Sequence, residues 1–224
     1  MSPTLDPRAL GATAGGQLLR AATALTAAVR SARKPLHPRG EVVRATLTRF
    51  GAEPGTGVPW LDEPGEDTVQ VRLSRAVGLP RFLPDIHGLA LRVPTPQGYG
   101  DLLLASTGTG RVTRFVLTAA HEAGGRPMST LLPYRSPAGS VLLGATEDAA
   151  GRWTLTVASP RGPWRPFASL TLSVGAGESD LSFDPVRNTV PGLEVHDWVR
   201  RLREPAYRTA RRSRTDVPVP DQVR

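Results

Sequence analysis

Tyr207 is the side chain with the most unusual chemical surroundings in this sequence, because arginines crowd around it. Between Arg200 and Arg214 the sequence contains seven arginines and one glutamate. The segment therefore carries 7 − 1 = +6 of the formal net charge of +8. A free phenol has a pKa of about 10, and neighbouring guanidinium groups favour its ionised form. An ionised phenolate is one of the few protein ligands suited to ferric haem.

The same segment has a plainer interpretation that stays open at this point. Arg203 and Tyr207 are four residues apart, so on a helix they share a face. A basic helix with one aromatic residue is typical of proteins that bind nucleic acid or an anionic surface, and it is also typical of a solvated face. The rest of the chain carries only 8 − 6 = +2, and the aromatic residues are not interleaved as a stacking platform. We therefore do not expect nucleic acid to be the partner.

Composition limits the classes of protein that the chain can form. Its 224 residues suffice for one substantial core. The 23 glycines and 22 prolines indicate many turns joining short elements. The sequence has no cysteine, which excludes disulfides, thiolate metal sites and cysteine nucleophiles. It also suits a cytoplasmic protein, and no run approaches the roughly 20 apolar residues of a transmembrane helix.

Eight segments alternate apolar and polar residues and predict strands. Turn clusters rich in glycine and proline separate most of them, so the strands are joined largely by hairpin-length loops. An antiparallel barrel removes the exposed edges of such a set, and a barrel of this size can hold one small ligand. The predicted strands span residues 41–48, 68–74, 88–93, 101–106, 112–118, 140–146, 152–158 and 167–174.

Helical spacing appears at the two ends of the chain. We predict an amphipathic helical arm at residues 1–34 and the barrel at residues 35–180. Residues 181–214 are predicted to form a C-terminal segment that ends in a helix. We expect residues 215–224 to form a disordered tail. Pro205 should kink or restart the C-terminal helix just before Tyr207. The apolar stripe that should pack this helix on the barrel consists of Val195, Trp198, Val199, Leu202 and Ala206.

Seven short segments resemble, in this order, the signature segments of the haem catalase family. The resemblance implies an α+β, mainly β fold: an antiparallel catalase-like barrel of about eight strands, with an N-terminal helical arm and a C-terminal helix packed on it. The segments are Leu36-His37-Pro38-Arg39-Gly40, Val71-Arg72-Leu73-Ser74, Asp85 to Leu91, Gly100-Asp101-Leu102, Phe183-Asp184-Pro185, Val190 to Glu194, and Arg203-x-x-x-Tyr207.

This resemblance implies a haem b site. Tyr207 is then the proximal iron ligand, and Arg203 keeps its oxygen ionised. Guanidinium and ammonium groups meet the haem propionates, since carboxylates pair well with such cations. The resemblance assigns that role to Arg72, to Arg214 and to Lys34.

Catalytic roles follow from the same resemblance for three residues. His37 lies on the distal side, where a histidine can exchange a proton with peroxide as a general acid and base. Ser74 fixes the ring of His37. Ser106 stands where the family has its distal asparagine, five residues after the aspartate of the Gly100-Asp101-Leu102 segment. A hydroxyl can still donate a hydrogen bond there, but it is shorter than an amide.

The implied activity is that of a haem-dependent peroxidase or catalase-like oxidoreductase acting on hydrogen peroxide or organic hydroperoxides. The chain is much shorter than a full catalase, so we expect a more open pocket that favours peroxidase chemistry. One alternative is a non-catalytic barrel that binds haem or another hydrophobic ligand. The other is an arginine-rich protein that binds nucleic acid or an anionic surface. The sequence leaves open whether the chain forms a homo-oligomer.

Overall fold

Strands form in this chain where apolar and polar side chains alternate, because one face of each strand can then be buried. The computed structural model describes residues 41–75, 83–122, 124–148, 151–176, 181–199 and 201. The strands are β1 Glu41–Arg49, β2 Gly65–Arg75, β3 His87–Thr95, β4 Gly98–Ser106, β5 Met128–Ser129, β6 Tyr134–Ser136, β7 Gly139–Glu147, β8 Arg152–Ala158, β9 Arg165–Ala176 and β10 Glu194–Val195.

Eight of these strands close into an antiparallel barrel. Its order is β1-β2-β3-β4-β5-β7-β8-β9, and β9 returns to pair with β1. The narrowest contact is at β5, whose two residues pair with β4 on one side and β7 on the other. Closure leaves no open edge in this ring. The prediction of an eight-stranded antiparallel barrel is therefore confirmed.

The remaining two strands form a short ribbon beside β7. Tyr134 of β6 lies opposite Val141 of β7, and Val195 of β10 lies opposite Tyr134 on its other side. β10 belongs to the part of the chain that follows the barrel. The ribbon therefore ties this C-terminal segment to the barrel wall.

Large apolar side chains occupy the barrel interior. Trp153 and Leu47 have no exposed surface, and Leu91 and Leu155 are at most 2% exposed. An eight-stranded barrel has an interior just wide enough for its own side chains. A ligand of any size must therefore bind on the outer face of the barrel or beyond its ends.

The predicted strand at 112–118 is wrong. The chain forms a 3-10 helix at Thr113–Phe115 instead, closed by the hydrogen bond from Val116 N to Thr113 O. The pattern misled because two of its apolar residues are exposed, Val112 at 52% and Val116 at 47%, whereas Arg114 is only 2% exposed. The sequence analysis also missed the short strands β5, β6 and β10 and the four-residue helix α1, Pro59–Asp62.

The predicted C-terminal helix begins later than its apolar stripe implied. Val195 lies in β10, and helical conformation starts at Asp197. Val199 is buried as expected, but Trp198 is 44% exposed. The rest of the stripe lies outside the described residues, as do the predicted arm at 1–34 and the tail at 215–224. Within the part of the chain that the structure describes, no helix is long and apolar enough to cross a membrane.

Candidate functional site

A patch of small side chains lies on the outer face of the barrel across β2, β3 and β4. Residues directly opposite each other on paired strands share a face. Ser74 lies opposite Gly88, which lies opposite Ala105, and Arg72 lies opposite Ala90, which lies opposite Leu103. All six are half-buried. We call this set the outer patch: Arg72, Ser74, Gly88, Ala90, Leu103 and Ala105.

Glycine at position 88 lets the hydroxyl of Ser74 lie close to the sheet. A Cβ atom at Gly88 would be 2.8 Å from Ser74 Oγ. The hydroxyl contacts the carbonyl oxygen of Gly88 at 3.5 Å, which is long for a hydrogen bond between oxygens. Ser74 thus keeps most of its donor capacity for a group that lies on the patch. Arg72, two residues earlier, shares this face.

Ser106 faces the opposite side of the sheet. It is fully buried, its hydroxyl accepts a hydrogen bond from His87 N at 3.1 Å, and it donates one to Thr118 O at 2.6 Å. Its single proton is therefore already used within the protein. Its role as a distal donor stays a prediction, but Ser106 and Ser74 do not lie on one face of the sheet.

A buried carboxylate fastens the C-terminal segment to the barrel beside the outer patch. Asp101 accepts hydrogen bonds from Arg92 Nε at 2.7 Å and from a terminal nitrogen of Arg92 at 2.8 Å. It also accepts from Asp184 N and Asn188 Nδ2, both at 2.7 Å. The Asp101 side chain has no exposed surface. Four donors satisfy this buried carboxylate, and the bidentate contact with Arg92 is a charge-assisted one.

Close backbone packing adds to this attachment. A Cβ atom at Gly100 would lie 2.7 Å from Cγ2 of Val190 and 3.0 Å from its backbone nitrogen, so only glycine fits beneath this segment. Further along, Gly192 adopts φ +85° next to Val58 before the chain enters β10. Three of the segments that carried the family resemblance therefore meet in space: Gly100-Asp101-Leu102, Phe183-Asp184-Pro185 and Val190 to Glu194.

The other predicted site residues lie outside the described residues. This holds for the proposed iron ligand and its neighbours as well as for the distal histidine. In the ranges that the structure covers, no group of three or more histidine, aspartate or glutamate side chains could hold a metal ion. The residues outside the described ranges are Lys34, His37, Arg203, Tyr207 and Arg214.

Comparison with known proteins yields a similarity in structure without one in sequence. No protein-family description and no curated protein matches the chain. Solved structures of catalases do match. The fold is catalase-like.

Three of these structures give the extent of the similarity. A fungal catalase superposes with a TM-score of 0.55 at 13% identity, over 74% of this chain and 55% of its own. A bacterial catalase superposes with a TM-score of 0.57 at 14% identity, over 81% of this chain and 57% of its own. Catalase A from Saccharomyces cerevisiae superposes with a TM-score of 0.56 at 12% identity, over 81% of this chain and 60% of its own. The chain thus spans less than two thirds of the length of each of these catalases.

The arrangement can bind a flat, mainly apolar group. The outer patch offers a glycine, two alanines and a leucine as a shallow surface, one hydroxyl near its middle strand, and one guanidinium. The family resemblance identified Arg72 and Ser74 as site residues. Sequence reasoning missed Arg92, which lies opposite Asp101 on the paired strand. It also missed Asn188, because nothing in the local sequence signals a contact across 87 residues.

Asp101→Asn tests the attachment of the C-terminal segment. The substitution keeps the shape but removes the buried negative charge that accepts four hydrogen bonds, so we expect the free energy of unfolding to fall by about 3–5 kcal/mol. Urea denaturation monitored by circular dichroism measures this loss.

Glu194→Gln is the matched control for this prediction. It breaks the Arg135–Glu194 ion pair at 2.8 Å, whose side chains are 56% and 63% exposed. An exposed pair contributes about 0–1 kcal/mol, so the control should be almost neutral. Equal losses in the two variants would contradict the structural role of Asp101.

Proposed function

We propose that this protein binds haem b on the outer patch and acts as a peroxidase or catalase-like oxidoreductase on hydrogen peroxide or organic hydroperoxides. The observation that carries the proposal is the outer patch itself. It brings Arg72 and Ser74 onto one half-buried face of a catalase-like barrel, next to glycine and alanine residues. The similarity of fold supports the choice of cofactor.

The outer patch suits haem both in its chemistry and in the shape of its surface. Haem is flat and apolar except for two carboxylates, so it needs a level apolar surface and a cation. Gly88, Ala90 and Ala105 supply the level surface, since none carries a side chain longer than a methyl group. Arg72 supplies a guanidinium suited to a carboxylate. The filled interior of the barrel supports a position outside it for such a ligand.

Five residues would hold the group. Tyr207 provides a phenolate oxygen for the iron, and Arg203 stabilises the negative charge on that oxygen, because a nearby cation lowers the pKa of a phenol. Arg72, Lys34 and Arg214 pair with the carboxylates. When bound, haem supplies the redox chemistry that peroxide turnover requires.

Proton movement at the substrate falls to His37. Its imidazole accepts a proton from the peroxide and returns it to the departing oxygen, so the two transfers balance. Ser74 donates a hydrogen bond that orients this ring. Its weak contact with Gly88 O leaves the hydroxyl able to do so.

One observation favours a second function, a barrel that binds haem or another hydrophobic ligand without turning over peroxide. Ser106 stands where a second distal donor is expected, yet its hydroxyl is buried and bonded to Thr118 O at 2.6 Å. A site with a single proton-handling residue would be slower. Haem binding and peroxide consumption must therefore be tested separately.

Haem binding is tested by the absorption spectrum of the full chain purified with haem supplied. We expect the Soret and charge-transfer bands of ferric iron bound to a phenolate. Tyr207→Phe should remove these bands, because phenylalanine offers the iron no ligand. A spectrum of free haem in both proteins would remove both haem-based functions.

Ala90→Phe tests whether the outer patch is the binding surface. A phenyl ring at this half-buried outward position should block a flat ligand and weaken haem affinity at least tenfold in a titration. Thr48→Phe on β1 is the control, since Thr48 is exposed on a different part of the barrel surface. If both variants bind haem as tightly as the wild type, the ligand does not lie on the outer patch.

Peroxide consumption by the haem-loaded protein separates the two functions. His37→Ala should lower the rate about 10²–10⁴-fold, the usual contribution of general acid–base catalysis. Ser74→Ala should lower it less, and Ser106→Ala should instead lower stability, since it leaves a buried amide hydrogen unbonded. Wild-type protein that binds haem but consumes no peroxide would establish the binding function alone.

A further inference from the structure

Arg114 is a buried cation that the proposed function does not use. It lies in the 3-10 helix at Thr113–Phe115, and only 2% of its surface is exposed. Its Nε donates to Gly110 O and one terminal nitrogen donates to Ser159 O, both at 3.1 Å. The indole ring of Trp164 covers the guanidinium, with its centroid 4.7 Å from Arg114 Cζ.

No carboxylate balances this charge among the residues that the structure describes. A guanidinium has five N–H donors, and the two carbonyl contacts account for two of them. Buried charges are normally paired, because an unpaired one costs several kcal/mol. Burial lowers the pKa of Arg114, and the neighbouring charge of Arg111 lowers it further. The negative charge of a bound anion would offset both effects.

A second buried polar atom lies in the same loop. Thr107 is 2% exposed, and its hydroxyl oxygen has no hydrogen-bond partner among the described residues. Alternation places its side chain on the same face as Ala105, which lies opposite Ser129. On that face Ser129 Oγ donates to the carbonyl oxygen of Arg114 at 2.6 Å. The unused hydroxyl of Thr107 and the unused guanidinium donors of Arg114 therefore belong to one connection, the chain between β4 and β5.

We propose that Arg114 and Arg111 form a binding site for a phosphate group, supplied as inorganic phosphate or as a phosphomonoester. Arg114 presents the unused edge of its guanidinium, which matches two oxygens of a tetrahedral anion. Arg111 is exposed to solvent, and its charge acts on Arg114, so it adds a second positive charge to the site. Phosphate carries close to two negative charges at neutral pH, whereas a carboxylate carries one. Two cations without an acidic neighbour therefore favour phosphate over a carboxylate.

This site lies beside the outer patch and shares none of its residues. Ala105 of the patch lies opposite Ser129, and Ser129 lies opposite Gly144 on β7. A Cβ atom at Gly144 would lie 2.9 Å from the indole ring of Trp164, which covers Arg114. Phosphate binding needs no haem, so it can be measured on protein without haem, and its failure would leave the proposed haem function untouched.

The test is a titration of the full chain with inorganic phosphate, with a phosphomonoester, with acetate and with chloride at matched ionic strength. We expect a saturable change in tryptophan fluorescence with either phosphate source, because the indole of Trp164 stacks on the binding cation. Acetate should bind at least tenfold more weakly, and chloride should give no saturable change. Saturation by the phosphomonoester but not by inorganic phosphate would assign the site to the ester. Equal responses to phosphate and chloride would overturn the proposal.

Variants identify the residues and exclude general salt effects. Arg111→Gln should weaken phosphate affinity about tenfold without affecting folding, and Arg114→Gln should abolish binding. Arg152→Gln, an exposed arginine at the opposite end of β8 from Ser159, is the control. Phosphate stabilises many proteins without binding to a site, and such an effect would be equal in all variants.

Two further measurements keep the test decisive. If Arg114→Gln does not fold, calorimetry on Arg111→Gln and Trp164→Phe decides the outcome. Trp164→Phe should lose the fluorescence change and still bind phosphate by calorimetry. If Arg111→Gln binds phosphate as tightly as Arg152→Gln does, the two arginines do not form the site.

Discussion

The buried carboxylate of Asp101 is the contact on which the rest of the candidate site depends. It takes four hydrogen bonds, from the Arg92 side chain, from the backbone of Asp184 and from the Asn188 amide. A charge without exposed surface is stable only when its partners are all in place. The segment at 181–188 is therefore held on the barrel by a carboxylate of β4 that is itself paired with Arg92 of β3.

This attachment also explains why a ligand surface can exist beside it. Along β3 and β4 the outer face passes from Arg92 and Asp101, covered by the C-terminal segment, to the small residues of the outer patch. Bulky residues fill the interior, and small ones occupy this part of the exterior, which is the reverse of an open ligand-binding barrel. From Val190 the chain crosses over Gly100 and continues to β10 and the ribbon beside β7. The barrel core thus supplies rigidity, and the outer wall supplies the site.

Strand alternation was predictable from the sequence, and contacts between distant segments were not. Seven of the eight predicted strands are present, because their apolar residues repeat with period two over six or more residues. The two-residue strands β5 and β10 are too short for any period to show. The stretch at 112–118 failed for another reason: it buries an arginine and exposes two valines, which a pattern of hydrophobicity cannot represent. Two of the three partner residues of Asp101, Asp184 and Asn188, are 83 and 87 residues away, beyond any local pattern.

The alternation of side chains along a strand could have corrected the placement of one candidate residue, Ser106. Arg72 and Ser74 are two residues apart and share a face, whereas Asp101 and Ser106 are five apart on β4 and must face opposite sides. Since Asp101 points outward to Arg92, Ser106 points inward, where it bonds to Thr118 O. The family resemblance aligned Ser106 by its distance in sequence from Asp101 and did not consider this alternation. Of the two serines, the one on the outer patch is therefore Ser74, whereas the hydroxyl of Ser106 lies on the inner face.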